Sequence, residues 1–178
     1  LARDYAYLEK YVGIDKVYLE TYRDGTWVSI DHMKMIQNFF KEHGVEIAGG
    51  ITTVTPPLEK DDVKRQRLFQ TFCYSNEAMR TYLKKIVTYT AELFDEIILD
   101  DFFFTSCTCD DCLRERSNLS WAEFRSKKMI DVAENLVLKP AKLANPSVKV
   151  TIKYPNWRES YHETGYVPKI QPSMFDKI

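Results

Sequence analysis

The chain has 178 residues, of which 44% are hydrophobic, so it is long enough and apolar enough to fold as one domain with a substantial core. Its formal net charge of −1 gives no electrostatic basis for binding nucleic acid or an anionic membrane. No apolar run approaches the roughly 20 residues that span a bilayer, and no signal peptide is visible. The start at Leu1 and the strand-like end at 175–178 suggest a part of a larger protein.

The first half of the chain alternates between helix and strand patterns. β-branched and aromatic residues in short runs predict strands, and apolar residues on one helical face predict helices. Ser29 is placed to cap the second helix. The expected elements are an amphipathic helix closing over 8–12 before Gly13, a strand over 17–22, a helix from Ser29 to Gly44, a strand over 45–53 and a loop around Pro56 and Pro57.

The second half continues the alternation. Either Ser75 or Asn76 can cap its first helix, and Ser120 with Glu123 forms a capping box for the second. The expected elements are a helix from 76 to 94, a strand over 96–103, a cysteine-rich loop, a helix from Ser120 to about Leu138, before Pro140, and a strand over 148–154.

Strict alternation of strands and helices predicts a parallel sheet with helices outside it. A (β/α)8 TIM barrel and an open doubly wound sheet both satisfy the pattern. The chain has neither Gly-x-Gly-x-x-Gly nor a P-loop, which disfavours the nucleotide-binding doubly wound folds. A barrel carries its chemistry at the carboxyl ends of its strands, and polar residues fall there: Glu20, Arg23, Thr52, Thr53, Asp100, Asp101, Lys153 and Asn156. We therefore expect residues 1–178 to form a domain that is about half of a barrel, with four β/α units.

The four cysteines predict a metal site. Cys107, Cys109 and Cys112 follow C-x-C-x2-C spacing, and Cys73 lies upstream of the helix that leads into the same strand. Thiolates suit the tetrahedral preference of zinc, and a site closed by four of them would be structural. Two disulfides are the alternative, expected in a secreted or periplasmic protein, and free thiols are another. Zinc would instead fit a cytoplasmic protein.

Residues 17–129 resemble the catalytic barrel of the zinc-containing β-galactosidases of glycoside hydrolase family 42. The resemblance depends on Phe72-Cys73 before a helix, a strand ending at Asp100-Asp101, the C-x-C-x2-C loop, and Ser120-Trp121-x-x-Phe124-Arg125. It implies a retaining glycosidase barrel with a carbohydrate substrate and a structural zinc, in which the strands here are barrel strands two to five. The family has Asn-Glu at its acid/base position, where this chain has Asp100-Asp101, and its nucleophile comes from a later strand.

The adjacent acids Asp100 and Asp101 are the catalytic candidates. Glycoside hydrolysis needs two carboxyl groups on opposite sides of the scissile bond. These two cannot be that pair, because successive side chains of a strand point to opposite faces. One is expected to face the barrel mouth as acid/base or nucleophile, and the sequence does not decide which. Alternatively, both cap the following turn or pair with nearby basic residues.

Five further residues are candidates for substrate binding: Glu20, Arg23, Lys153, Asn156 and Trp157. Glu20 is as readily explained as an internal salt-bridge partner, and Trp157 either stacks on a pyranose or lies at the edge of the core. The leading hypothesis is hydrolysis of a glycosidic bond by paired carboxyl groups. A barrel that binds carbohydrate without cleaving it and a zinc-stabilised α/β scaffold with a protein partner are the alternatives.

Overall fold

The computed structural model describes residues 1–55 and 67–178, so the loop predicted around Pro56 and Pro57 lies outside the described residues. The first range contains α1 (Ala2–Tyr11), β1 (Lys16–Arg23), β2 (Thr26–Trp27), α2 (Ile30–Glu42) and β3 (Glu46–Ile51). The second contains α3 (Glu77–Leu93), β4 (Glu96–Leu99), α4 (Asp110–Arg116), α5 (Trp121–Val132), α6 (Lys139–Ala144), β5 (Lys149–Ile152) and α7 (Tyr161–Thr164). A π-helical stretch, Ala133–Leu138, joins α5 to α6.

The strands form one sheet in the order β2-β1-β3-β4-β5. β1, β3, β4 and β5 run parallel, whereas β2 is a two-residue antiparallel arm on β1. Each parallel strand lies beside the one that precedes it in the chain, so right-handed crossovers place the connecting helices on one face. The fold is therefore mixed α/β with a mainly parallel sheet.

The face of the sheet that meets the helices carries the core. Ile97 and Leu99 of β4 are completely buried there and belong to one cluster with Leu83 of α3 and Met129 of α5. Because side chains alternate along a strand, the residues between them turn to the other face. That face includes Glu96, whose carboxylate pairs with Lys16 Nζ at 2.7 Å and with Lys177 Nζ at 2.6 Å.

Three predicted helix caps are confirmed. Ser29 Oγ accepts the N–H of His32 at 3.3 Å, and Asn76 Oδ1 accepts the N–H of Met79 at 3.1 Å. Ser120 and Glu123 form the complete capping box. These local bonds fix where each helix begins because they satisfy N–H groups that have no partner within the helix.

Several predicted boundaries were wrong. The strand expected over 96–103 ends at Leu99, because Asp100 Oδ1 accepts the N–H of Phe102 at 3.0 Å and closes a turn. The strands expected over 45–53 and 148–154 are shorter at both ends, at Glu46–Ile51 and Lys149–Ile152. Helical structure continues past Pro140, which lies in the first turn of α6 directly after the π-helical stretch. α1 is longer than expected and buries none of its residues.

The end of the chain returns to the sheet. Lys177 forms a parallel bridge with Thr151 of β5, as the strand-like pattern at 175–178 predicted. Among the helices of the described ranges, none is both long enough and apolar enough to cross a membrane.

Candidate functional site

The carboxyl ends of β1, β3 and β4 bring together Glu20, Thr52 and Asp100. Parallel pairing aligns Glu20 with Gly50 and Ile51 with Leu99, so the residues that follow β3 and β4 lie beside Glu20. Thr52 Oγ1 is 2.7 Å from Glu20 Oε1 and 2.7 Å from Asp100 Oδ2. The two carboxyl groups are thus bridged by a single hydroxyl group.

Arg23 completes this polar group. Its guanidinium donates two hydrogen bonds to Glu20, at 2.8 and 2.6 Å, and a weaker one to Thr52 Oγ1 at 3.3 Å. Two of the predicted substrate-binding residues therefore bind one another. The interpretation of Glu20 as an ion-pair partner describes what the structure contains, although both side chains also remain partly exposed.

The two carboxyl groups have opposite pKa shifts. Burial raises the pKa of Asp100 to about 6, which outweighs the hydrogen bonds from Thr52 and the Phe102 N–H, and the neighbouring charges of Asp101 and Glu20 act in the same direction as burial. Burial also opposes ionisation of Glu20, but its hydrogen bonds with Arg23 and Thr52 prevail and lower its pKa. Carboxyl groups with divergent pKa values are typical of acid–base sites.

The single hydroxyl hydrogen of Thr52 is consistent with the different pKa values of Asp100 and Glu20. A hydroxyl group carries one hydrogen and can donate it to only one of the two carboxyl groups. Thr52 Oγ1 lies 2.7 Å from an oxygen of each, so when both are ionised one carboxylate is left without this hydrogen bond. The geometry disfavours two ionised carboxylates side by side.

Asp101 lies in the turn after β4 and turns away from this group. Its carboxylate pairs with Lys153 Nζ at 3.3 Å, and 38% and 53% of the two side chains are exposed. Its backbone carbonyl accepts the hydroxyl of Tyr166 at 3.0 Å. Both structural roles considered for the adjacent acids therefore occur: Asp100 caps the turn, and Asp101 pairs with a lysine.

Of the other predicted binding residues, Lys153 lines the same cavity on the sheet as Glu20 and Asp100, with a volume of about 670 Å3. The remaining two lie outside this cavity. Asn156 is exposed beyond the end of β5, whereas Trp157 is half-buried, with its ring 5.3 Å from that of Phe104 and 5.8 Å from that of Tyr166. Trp157 thus packs at the edge of an aromatic cluster.

Thr52 is the residue that the sequence did not single out as a site residue. It was noted only as polar and near a strand end, as many threonines are. Its importance comes from the register of β3 between β1 and β4, which no local pattern specifies.

The four cysteines converge as predicted. Their Sγ atoms all lie within 4.8 Å of one another, and Cys73 is 3.6 Å from Cys112 and 3.7 Å from Cys109. Cys109 and Cys112 are 3.8 Å apart. All four are free thiols, so the disulfide alternative does not describe this structure.

These distances suit a tetrahedral metal. Four sulfur atoms at about 2.3 Å from a central zinc ion would be about 3.8 Å from one another. A disulfide would need about 2.05 Å. The cluster is enclosed by Met79, Leu119, Trp121 and Phe124, and three of its cysteines are buried. Hydrogen bonds with Cys112 and Cys73 lower the pKa of Cys107, whereas hydrogen bonds with Cys107 raise the pKa of Cys73 and of Cys112. Without a metal, the thiolate form that binds metal is therefore favoured at Cys107.

Comparison with known proteins identifies the family. A family model described as "Probable glycosyl hydrolase, catalytic domain" matches residues 1–178. An uncharacterized protein of Saccharolobus solfataricus is 31% identical over 191 residues, which cover 95% of this chain and 32% of that protein. The chain therefore spans about a third of the length of this relative.

Proposed function

Since this chain belongs to the family described as "Probable glycosyl hydrolase, catalytic domain", we propose that it supplies the acid catalyst for hydrolysis of a glycosidic bond, and that Asp100 is this acid. The supporting observation is the Asp100 carboxyl group, which lines a cavity at a strand end and whose pKa burial raises to about 6. A carboxyl group that keeps its proton near neutral pH can protonate the leaving oxygen of a glycoside.

Glu20 is not the second catalytic carboxyl group in this proposal. Thr52 fills the space between Glu20 and Asp100, so no sugar could lie between them. The two hydrogen bonds from Arg23 also fix the position of the Glu20 carboxylate. Its role is electrostatic: the negative charge of Glu20 raises the pKa of Asp100 and so disfavours loss of the Asp100 proton. The partner carboxylate would come from elsewhere in the complete protein, about 5–5.5 Å away for retention or 6.5–9.5 Å for inversion.

The proposed reaction begins with the sugar bound on the exposed face of the sheet. Asp100 gives its proton to the glycosidic oxygen as the bond to the anomeric carbon breaks, and the alcohol leaves. The partner carboxylate either attacks the anomeric carbon or activates the attacking water. In the first case Asp100, now negatively charged, recovers its proton from the water that attacks the anomeric carbon and releases the sugar from the partner carboxylate. In the second case it recovers a proton from solvent water. Lys153, which pairs with Asp101 near the cavity, would stabilise that charge and bind sugar hydroxyl groups.

We extend the proposal to a (β/α)8 barrel of which this chain forms about half. The sequential strand order with helices on one face is the winding of a barrel, in which the other face becomes the interior. Glu20 and Glu96 lie on that other face. Catalytic groups of such barrels lie at the carboxyl ends of strands, where Asp100 is found.

A structural zinc ion held by Cys73, Cys107, Cys109 and Cys112 is the last part of the proposal. The sulfur distances fit the ion, and four thiolates leave no position open for substrate. The ion would fix the loop that follows Asp100 and Asp101 and so shape the site without entering the reaction. The order of the cysteines supports a kinship with the zinc-containing β-galactosidases of family 42.

The test compares Asp100→Asn and Asp101→Asn in the complete protein on aryl glycosides with good and poor leaving groups. If Asp100 is the acid, Asp100→Asn lowers kcat/KM, which reports the first bond-breaking step, by about 10²–10⁴-fold for poor leaving groups, which need a proton. The loss is much smaller for dinitrophenyl glycosides, which do not need one. Equal losses on both substrates, or a loss confined to Asp101→Asn, would refute the assignment. Sugar binding without hydrolysis by the unmodified protein would favour the non-catalytic alternative.

A further inference from the structure

A second cavity, of about 440 Å3, lies at the carboxyl ends of β1 and β3. It is lined in part by Arg23, which also bonds to Glu20. The rings of Phe69 and Phe102 form one part of its wall, and the polar side chains of Arg23, Asp24 and Gln70 form another. An apolar wall with a few polar groups is the usual composition of a small-molecule site.

Phe69 is held in this wall in a strained backbone conformation. Its φ is 53° and that of Gln70 is 55°, in the left-handed region that non-glycine residues avoid. The turn is fastened on both sides, because the Leu68 N–H donates to Ser106 Oγ at 2.7 Å and the Thr55 N–H donates to the Gln70 carbonyl at 3.0 Å. Backbone strain that the surrounding fold maintains is concentrated at ligand sites.

The strain presents an aromatic ring to solvent. Phe69 is 57% exposed, although it is supported by edge contacts with Phe102, at 5.3 Å between ring centroids, and with Phe104, at 6.5 Å. The exposed ring lies in the same cavity wall as polar side chains, which suits a ligand with an apolar face and a polar edge.

A sugar ring has these two sides. The C–H groups of a pyranose form a flat apolar face that packs on an aromatic ring, and its hydroxyl groups bond to charged and amide side chains at its edge. The cavity is also coupled to the proposed acid. The Phe102 N–H donates to Asp100 Oδ1 at 3.0 Å, and Arg23 donates to Thr52 Oγ1 at 3.3 Å.

From this geometry we infer that Phe69 and Phe102 form an aromatic subsite that binds a pyranose ring beside the glycosidic bond that Asp100 protonates. Arg23, Asp24 and Gln70 bind its hydroxyl groups. The position of this subsite relative to the scissile bond rests on the proposed function, but binding of a pyranose can be measured without any hydrolysis.

The experiment measures binding of methyl α- and β-pyranosides of glucose, galactose and mannose to the complete protein by saturation-transfer NMR. Phe69→Leu keeps apolar volume but removes the flat ring, and Phe69→Tyr keeps the ring. Tyr11→Ala removes an exposed ring from α1, which packs against α2 through Tyr5 and His43. We expect at least one pyranoside to bind, Phe69→Leu to raise its Kd about tenfold, Phe69→Tyr to retain most of the affinity, and Tyr11→Ala to leave the Kd unchanged.

Two results would overturn the inference: binding of none of the six pyranosides, or unchanged binding by Phe69→Leu. Phe69→Leu is the deciding variant because it changes packing less than truncation to alanine, and its Tm shows whether it has folded. If Asp100→Asn leaves hydrolysis intact while Phe69→Leu weakens binding, the proposed acid is refuted and the subsite stands. If Asp100→Asn abolishes hydrolysis while Phe69→Leu binds normally, the subsite is refuted and the acid stands.

Discussion

Glu20 of β1 and Asp100, the residue that follows β4, share the hydroxyl group of Thr52, although β1 and β4 are not neighbours in the sheet. Each carboxyl oxygen is 2.7 Å from Thr52 Oγ1. With one hydrogen on that hydroxyl, two ionised carboxylates cannot both be satisfied. The protonation of Asp100 is therefore coupled to that of Glu20 through the residue that follows β3, the strand between β1 and β4.

Thr52→Val should change the pH dependence of activity in the complete protein. Valine keeps the β-branched shape but removes the hydroxyl group, whose hydrogen bond lowers the pKa of Asp100. The pKa of Asp100 should then rise above about 6, so the loss of activity towards alkaline pH should move to higher pH. Removing a partner from buried carboxyl groups should also cost about 1–3 kcal/mol of stability.

The check is a pH profile of kcat/KM, in which Thr52→Ser should match the unmodified protein. A profile that Thr52→Val leaves unmoved would contradict the coupling.

Stability should depend on pH through Asp100. Its pKa in the folded state is about 6 against an ordinary 3.8, so the folded state binds this proton more tightly than the unfolded state. The resulting stabilisation is complete below pH 3.8 and is lost as the pH rises through 6. Asp100→Asn stays neutral at every pH. Relative to the unmodified protein, its free energy of unfolding in urea should therefore gain about 2 kcal/mol between pH 4 and pH 7.

Glu20→Gln provides the matched comparison for that titration. The pKa of Glu20 is lowered in the folded state, so its contribution is present above the ordinary value of 4.5 and is lost as the pH falls through the lowered value. Glu20→Gln should thus lose stability relative to the unmodified protein as the pH rises, opposite in sign to Asp100→Asn. Parallel trends for the two variants would show that the shifts are misassigned.

Local patterns were sufficient to predict the elements that depend on neighbouring residues. The caps at Ser29, Asn76 and Ser120 were visible because a capping side chain reaches only two or three residues along the chain. The cysteine spacing was similarly informative, because three of the four ligands come from one loop. The parallel sheet followed from the alternation of these elements.

Features that depend on register or strain were not predictable. Thr52 connects two carboxyl groups only because β3 lies between β1 and β4 in one register. Asp100 ends β4 through a turn bond that competes with strand pairing, although the following phenylalanines favour a strand. Nothing in the sequence marks Phe69 as left-handed, since that conformation is imposed by contacts with Thr55 and Ser106.

The cysteine cluster should hold one zinc ion per chain when the protein is purified under reducing conditions. Cys112→Ser should lose the ion and several kcal/mol of stability, because a serine oxygen is a poor zinc ligand and metal binding is coupled to folding. Elemental analysis and thermal unfolding are the measurements. Leu119→Met is the control, because Leu119 packs on the cluster without belonging to it. A metal-free protein whose Tm is unaffected by chelators would rule out the zinc.

Gly49 and Gly50 should respond differently to alanine because they face opposite sides of the sheet. A Cβ at Gly49 would lie 2.6 Å from Thr90 Cγ2 and 2.8 Å from Phe94 Cδ2, both in the buried core. Neither can move freely, since the Thr90 hydroxyl also bonds to that of Thr21 at 2.6 Å. Gly49→Ala should therefore cost about 1–3 kcal/mol, measured by urea unfolding.

Gly49→Ala perturbs the core, whereas Gly50→Ala is expected to perturb the site. Its Cβ would lie 3.3 Å from Glu20 Cγ, part of a half-exposed side chain that can shift. Stability should then change by less than about 1 kcal/mol. The shift would pull Glu20 from Thr52 Oγ1, weakening the coupling to Asp100, so the pH profile of kcat/KM should move while Gly49→Ala leaves it in place. If Gly50→Ala instead destabilises the protein as much as Gly49→Ala does, Glu20 is held too rigidly to adjust, and the site is part of the packed core.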